Sequence, residues 1–102
     1  MKDSDHNILF MQLILQNQQI AMMAMGKLKN PVTDKIDRNL EHAKIYIDTI
    51  DMLHAKTKGN LSEYEEKFLA EILKELKLNY VDEMDKEKNK TESSKEKNGE
   101  KK

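Results

Sequence analysis

The chain has no cysteine and no tryptophan, and only one proline and three glycines among its 102 residues. Without cysteine there is neither a disulfide nor a thiolate metal ligand, and a reducing, cytoplasmic setting is the expectation. With so few breakers and sparse β-branched clusters, helix is favoured along the whole chain. No sign of charge dominates either. Eighteen basic residues face nineteen acidic ones, for a formal net charge of −1. That balance gives no electrostatic reason to expect nucleic acid or an anionic membrane as partner. No secretory signal is expected, because Lys2 is followed by Asp3 and Asp5 and no small-residue cleavage site follows the apolar run.

One long uncharged interval does occur, from Asn7 to Gly26. It matches a membrane span in length. Yet Asn7, Gln12, Gln16, Asn17, Gln18 and Gln19 would set side-chain amides at mid-membrane depth, where each is costly without a partner. A soluble helix is the better reading of this interval.

Hydrophobic periodicity and local stop signals predict three helices. Helix 1 is expected from about Ser4 to Leu28, with Asp3 or Ser4 as N-cap. Asn30-Pro31 breaks it, and helix 2 is expected to start at Pro31 or Thr33, since proline suits a first turn. Helix 2 should end near Lys58, with Gly59 supplying a left-handed residue. Ser62 and Glu65 then form the pattern of a capping box that opens helix 3, which should run to about Val81. The short Lys58-Gly59-Asn60-Leu61 link folds helices 2 and 3 into an antiparallel hairpin. From Asp82 onward aliphatic residues vanish and Lys and Glu alternate irregularly. The expected organisation is a helical domain over 1–82 and a disordered Lys/Glu-rich tail over 83–102, with a helical extension to about Lys88 as the alternative.

The helices differ in pattern. In helix 2, Ile36, Leu40, Ala43, Ile47 and Ile50 make one apolar stripe, widened by Tyr46 and Leu53, opposite Asp37, Glu41, Lys44, Asp48 and Asp51. In helix 3, Tyr64, Phe68, Leu69, Ile72, Leu73, Leu76 and Tyr80 make another. Helix 1 is apolar over far more of its circumference than an ordinary stripe, and its clearest polar strip is Gln12, Gln16 and Gln19. A hairpin covers one side of such a rod. The remainder calls for another copy, a protein partner or a membrane surface.

Several short patterns are similar to those of one bacterial family. They are Gly26 with Asn30-Pro31, the series Ala43, Ile47, Asp48, Asp51, Met52 and Leu53, and the run Lys56-Thr57-Lys58-Gly59-Asn60-Leu61. Glu65-Glu66, the leucines of helix 3 and Tyr80-Val81 fit as well. Over about residues 8–82 the chain resembles the family named domain of unknown function eighteen-forty-four. The resemblance implies a short helical bacterial protein. It implies no activity, ligand or catalytic residue.

Chemistry-bearing patterns are few. Asp3 with His6, and Asp51 with His54, share the i, i+3 spacing of metal ligands on one helix face. Neither has the inward glutamates that complete a di-metal bundle site, so exposed pairs are the simpler reading. There is no nucleophile elbow and no phosphate-binding glycine loop, and Lys56-Thr57-Lys58-Gly59-Asn60 reads as a helix end and turn. The methionines of helix 1 serve either as core filling or as an adaptable contact surface. Asn17 and Gln18 interrupt its apolar arc, at a solvated seam or as buried amides that fix register.

The expectation is therefore a non-catalytic all-α protein without metal or cofactor. It should self-associate, as a homodimer first, with a protein partner as a further option and a membrane surface as the weaker alternative. The expected association surface is Phe10, Met11, Leu13, Ile14, Met22 and Met25 of helix 1, with Ile45 and Met52 on the otherwise charged back of helix 2.

Overall fold

Three helices carry the chain in the order the pattern predicts. The computed structural model describes residues 2–100, with side chains through residue 89. Helix α1 spans Asp3–Ala24, α2 spans Leu40–Lys56 and α3 spans Glu63–Glu100. Among the described residues, the sole β pairing is an isolated antiparallel bridge between Asn30 and Lys35. The fold is all-α.

Helix α1 starts and stops slightly earlier than expected. Lys2, not Asp3 or Ser4, is the N-cap residue. Its backbone N–H donates to the Asp5 carboxylate at 3.1 Å. Asp3 and Asp5 in the first turn also suit the positive end of the helix dipole. At the other end Gly26 stops the helix, with φ +82°. Its N–H reaches the Met23 carbonyl at 3.0 Å and the Lys27 N–H reaches the Met22 carbonyl at 2.9 Å. These paired bonds are a Schellman ending, which satisfies the last carbonyls and favours glycine at the left-handed position. Leu28 therefore lies outside the helix.

The connection from α1 to α2 corrects the sequence reading. Pro31 and Thr33 do not open helix 2; they belong to a tight turn built on Asn30. The Asn30 side-chain oxygen accepts from Val32 N at 2.9 Å. Its carbonyl accepts from Asp34 N at 2.7 Å, and its own N–H donates to the Lys35 carbonyl at 2.8 Å. Asp34 has φ +57°, a left-handed conformation that no right-handed helix accommodates. Ile36, expected to start the apolar stripe, is exposed on this connection. Helix α2 begins instead behind Asn39, whose side chain accepts from His42 N at 3.2 Å.

The hairpin of α2 and α3 follows the prediction closely. Gly59 has φ +89° and sits in a turn closed by the Asn60 N–H on the Thr57 carbonyl at 2.8 Å. Ser62 and Glu65 form the capping box. Ser62 N donates to Glu65 Oε1 at 2.9 Å, and Glu65 N donates to Ser62 Oγ at 3.1 Å. Glu65 is buried while Ser62 is exposed, so both of these bonds are part-buried.

The core lies where the three helices meet. Leu40, Ala43, Ile47 and Ile50 of α2 face Leu69, Ile72, Leu73 and Leu76 of α3. Ile14, Ala21 and Ala24 of α1 complete it, together with Met25 just beyond the helix end. Helix α3 continues past Val81, and Glu83, assigned by pattern to the tail, is buried. The remainder of the expected tail, from residue 90, lies outside the residues whose side chains are described.

Candidate association surface

The eight residues expected to form an association surface separate into three groups. Ile14 and Met25 are fully buried in the chain's own core and are not available to a partner. Phe10 and Met22 pack against that core while keeping part of their surface in water, and Met11 is half-buried. Leu13, Ile45 and Met52 are exposed. The correction for Ile14 and Met25 has a plain cause. A helix that is apolar nearly all round carries no phase in its sequence, so periodicity does not say which residues turn inward.

Other aliphatic side chains take the exposed role. Ile8, Leu9 and Leu15 join Leu13, and these four are between 43% and 56% exposed within a stretch of eight residues. At about 100° per residue, Ile14, Ala21 and Ala24 point to one side of α1 and Gln12, Gln16 and Gln19 to the opposite side. Ile8 and Leu15 flank one edge of the glutamine row, and Leu9 and Leu13 flank the other. All three glutamines are exposed. Asn17 and Gln18 are both half-buried, and Asn17 Nδ2 donates to the Leu13 carbonyl at 2.9 Å, a bond within its own helix.

Helices α2 and α3 present other surfaces. Ile45 and Met52 are exposed on the back of α2, set among charged residues. On α3, Tyr64 and Phe68 stack with ring centroids 6.4 Å apart. They border a shallow groove of about 430 Å³ with Lys67, Glu71, Ile72 and Glu75. That groove is open and alternates charge with apolar surface.

Electrostatics concentrate at the end of the molecule away from the hairpin turn. Glu83 Oε2 lies 2.8 Å from Lys27 Nζ and 3.1 Å from Lys86 Nζ, and Glu83 Oε1 lies 3.2 Å from Arg38 Nη2. The hydrogen bonds from Lys27 and Lys86 hold the Glu83 carboxyl below its ordinary range, outweighing the opposing effect of desolvation. Glu83 and Asp82 in turn raise Lys86. Nothing in the sequence marks Glu83, since a glutamate within a Lys/Glu run reads as solvated. Its signal is spatial: both Lys27 and Arg38 belong to the connection between α1 and α2.

The residues weighed for metal binding are dispersed. Asp3 and His6 border a groove of about 450 Å³ beside the hairpin turn, along with Asn60, Ser62 and Glu65. Glu65 is already committed to the capping box. His54 Nε2 pairs with Glu66 Oε1, while Asp51 pairs with Lys77 at 3.6 Å, so Asp51 and His54 look to different partners. Among the described residues no group of three or more His, Cys, Asp or Glu is placed to hold a metal ion. No helix among them is long and apolar enough to cross a membrane.

These features define a three-helix protein whose N-terminal helix is buried along one side and apolar well beyond it. The chain belongs to the family described as Domain of unknown function (DUF1844), which matches residues 7–83. The matched segment ends at Glu83, the carboxylate that ties α3 to the first connection. No curated protein and no solved structure matches the chain.

Proposed function

We propose that the protein is a non-catalytic helical interaction module that self-associates through the outer surface of α1, as a homodimer first. The observation that carries this reading is the exposure of Ile8, Leu9, Leu13 and Leu15 in the uncharged stretch of one helix. Each leaves about half of a large aliphatic side chain in water, and burying that half contributes about 1 kcal/mol. Side chains of this kind scattered singly are ordinary, but four within eight residues, as two pairs bordering one row, favour a protein contact. Ile14 and Met25 play no part in the contact, because the monomer already encloses them.

Light scattering after size exclusion, over a wide range of concentration, tests the reading. A mass that rises to twice the monomer value is expected. The double variant Leu9→Glu with Leu15→Glu should hold the chain at monomer mass with its helicity intact. A wild-type monomer at every concentration overturns the proposal.

A further inference from the structure

The row formed by Gln12, Gln16 and Gln19 has no role in the core. It points away from Ile14 and Ala21, and all three side chains are exposed. The spacings of four and three residues set the amides along one side of the helix, over about 10 Å. The aliphatic patch does not lie on this row but on both sides of it.

The other two helices treat their outward rows differently. Helix α2 carries Glu41, Lys44, Asp48 and Asp51 there, beside the exposed Ile45 and Met52, with Lys44 and Asp48 paired at 2.9 Å. Helix α3 carries Lys67, Glu71, Lys74 and Glu75, beside the exposed Leu78. Both of these outward sides hold charge. On the outward row of α1 the one charge is Asp5 in the first turn, and no charged residue occurs anywhere from Asn7 to Ala24.

Neutral amides have a chemical property that lysine and glutamate lack. Each one both donates and accepts hydrogen bonds, so a row of glutamines is complementary to a copy of itself. A charged row brought against its own copy meets like charge. A bilayer would leave the three amides without partners. A charged protein partner would find no opposite charge to pair with. The occupant that fits an amide row between two aliphatic edges is a second copy of the same helix.

We infer that Gln12, Gln16 and Gln19 are the specificity element of the dimer. They pair across a two-fold axis with the same residues of a second chain, while Ile8, Leu15, Leu9 and Leu13 close over them from both edges. This inference rests on the reading that α1 mediates self-association, and it adds which residues set partner and alignment. Polar groups at such a seam fix register and exclude other partners at some cost in affinity.

The test uses substitutions that leave the monomer's core untouched. Gln12→Glu with Gln16→Glu keeps side-chain size and places four carboxylates in the paired row. Sedimentation velocity at neutral pH should show the dimer weakened at least tenfold, with circular dichroism unchanged. Acidifying to below the carboxylate range should restore association, because a protonated glutamate again donates and accepts as the amide does. Leu78→Glu, at an exposed position of α3, serves as the comparison and should leave the dimer intact. If the glutamate pair has no effect while Leu9→Glu with Leu15→Glu dissociates the dimer, the amide row is not in the contact, although self-association through α1 stands. If Leu78→Glu alone dissociates it, the contact lies on α3 and both readings fall.

Discussion

Arg38 holds Glu83 in two ways at once. Its Nη2 lies 3.2 Å from the Glu83 carboxylate and donates to the Glu83 backbone carbonyl at 3.0 Å. Lys27, just past Gly26, reaches the same carboxylate from the other end of the first connection. One acidic side chain on α3 thus pins both ends of the segment between α1 and α2. The Arg38 side chain also lies against Gly26, and a β-carbon at that glycine would come within 3.3 Å of it. The Schellman ending of α1 and the Glu83 clamp are therefore one connected arrangement.

The clamp predicts a pH dependence. The Glu83 carboxyl titrates below its ordinary range in the folded chain, chiefly because Lys27 and Lys86 donate to it. The unfolded chain takes up that proton first as pH falls. Stability from Glu83 is therefore fully present above the ordinary carboxylate pKa and is lost as pH falls through the lowered folded value. Glu83→Gln should destabilise by about 1 kcal/mol at neutral pH, the modest figure reflecting partners that are partly in water. Thermal melts from neutral to acid pH should converge for wild type and variant. A constant gap between the two curves would show that charge is not what the clamp uses.

Truncation gives a second check on the same group. A chain ending after residue 82 keeps every apolar core residue but loses Glu83. A chain ending after residue 89 keeps both. The shorter chain should melt lower, by about the amount that Glu83→Gln costs, while the longer one should match the full chain. Equal denaturant midpoints for the two truncations would remove Glu83 from the folded unit.

Much of this architecture was legible in the residues, and the misses share a cause. Leu40, Ala43, Ile47 and Ile50 were readable because α2 has a polar side that sets the phase of its stripe. Ser62 with Glu65, and Gly59, were readable because capping and left-handed turns depend on near neighbours in sequence. The start of α2 was misread because Pro31 fits a helix's first turn and a tight turn equally well. What decides between them is the bonding around Asn30 and the conformation of Asp34. Glu83 was missed because Lys27 and Arg38, which hold it against the first connection, lie dozens of residues away. In α1, the buried Ile14 and the exposed Leu15 are both large aliphatics in an uncharged run, and only packing separates them.

Gly59 isolates the conformational cost of the hairpin turn. Its φ is +89°, and a β-carbon there would meet nothing within 4 Å. Gly59→Val is therefore penalised by backbone strain alone, without a clash. A loss of at least about 1 kcal/mol in chemical denaturation is expected for a β-branched residue at positive φ. Gly59→Asn should cost less, since asparagine tolerates that region better. Equal midpoints for the two variants would mean that the turn relaxes to another conformation.

Ile14 and Leu15 are adjacent in sequence and separate folding from association. Ile14 is wholly enclosed, while Leu15 is 44% exposed. Ile14→Ala removes methyl and methylene groups from a packed site and should cost about 2–5 kcal/mol, depending on how far the surrounding helices close the cavity. Ile14→Glu forces a carboxylate into that same site within the apolar core and should unfold the chain at neutral pH. Leu15→Glu places the same carboxylate in water. The dilute monomer should keep its melting temperature, with a change within about 0.5 kcal/mol. At higher concentration the Leu15 variant should lose whatever stabilisation the second copy supplies to the wild type, so its melting temperature should become independent of concentration. Circular dichroism melts of the three variants at low and high concentration make the distinction. If Leu15→Glu unfolds the dilute chain as Ile14→Glu does, the outer edge of α1 belongs to the core.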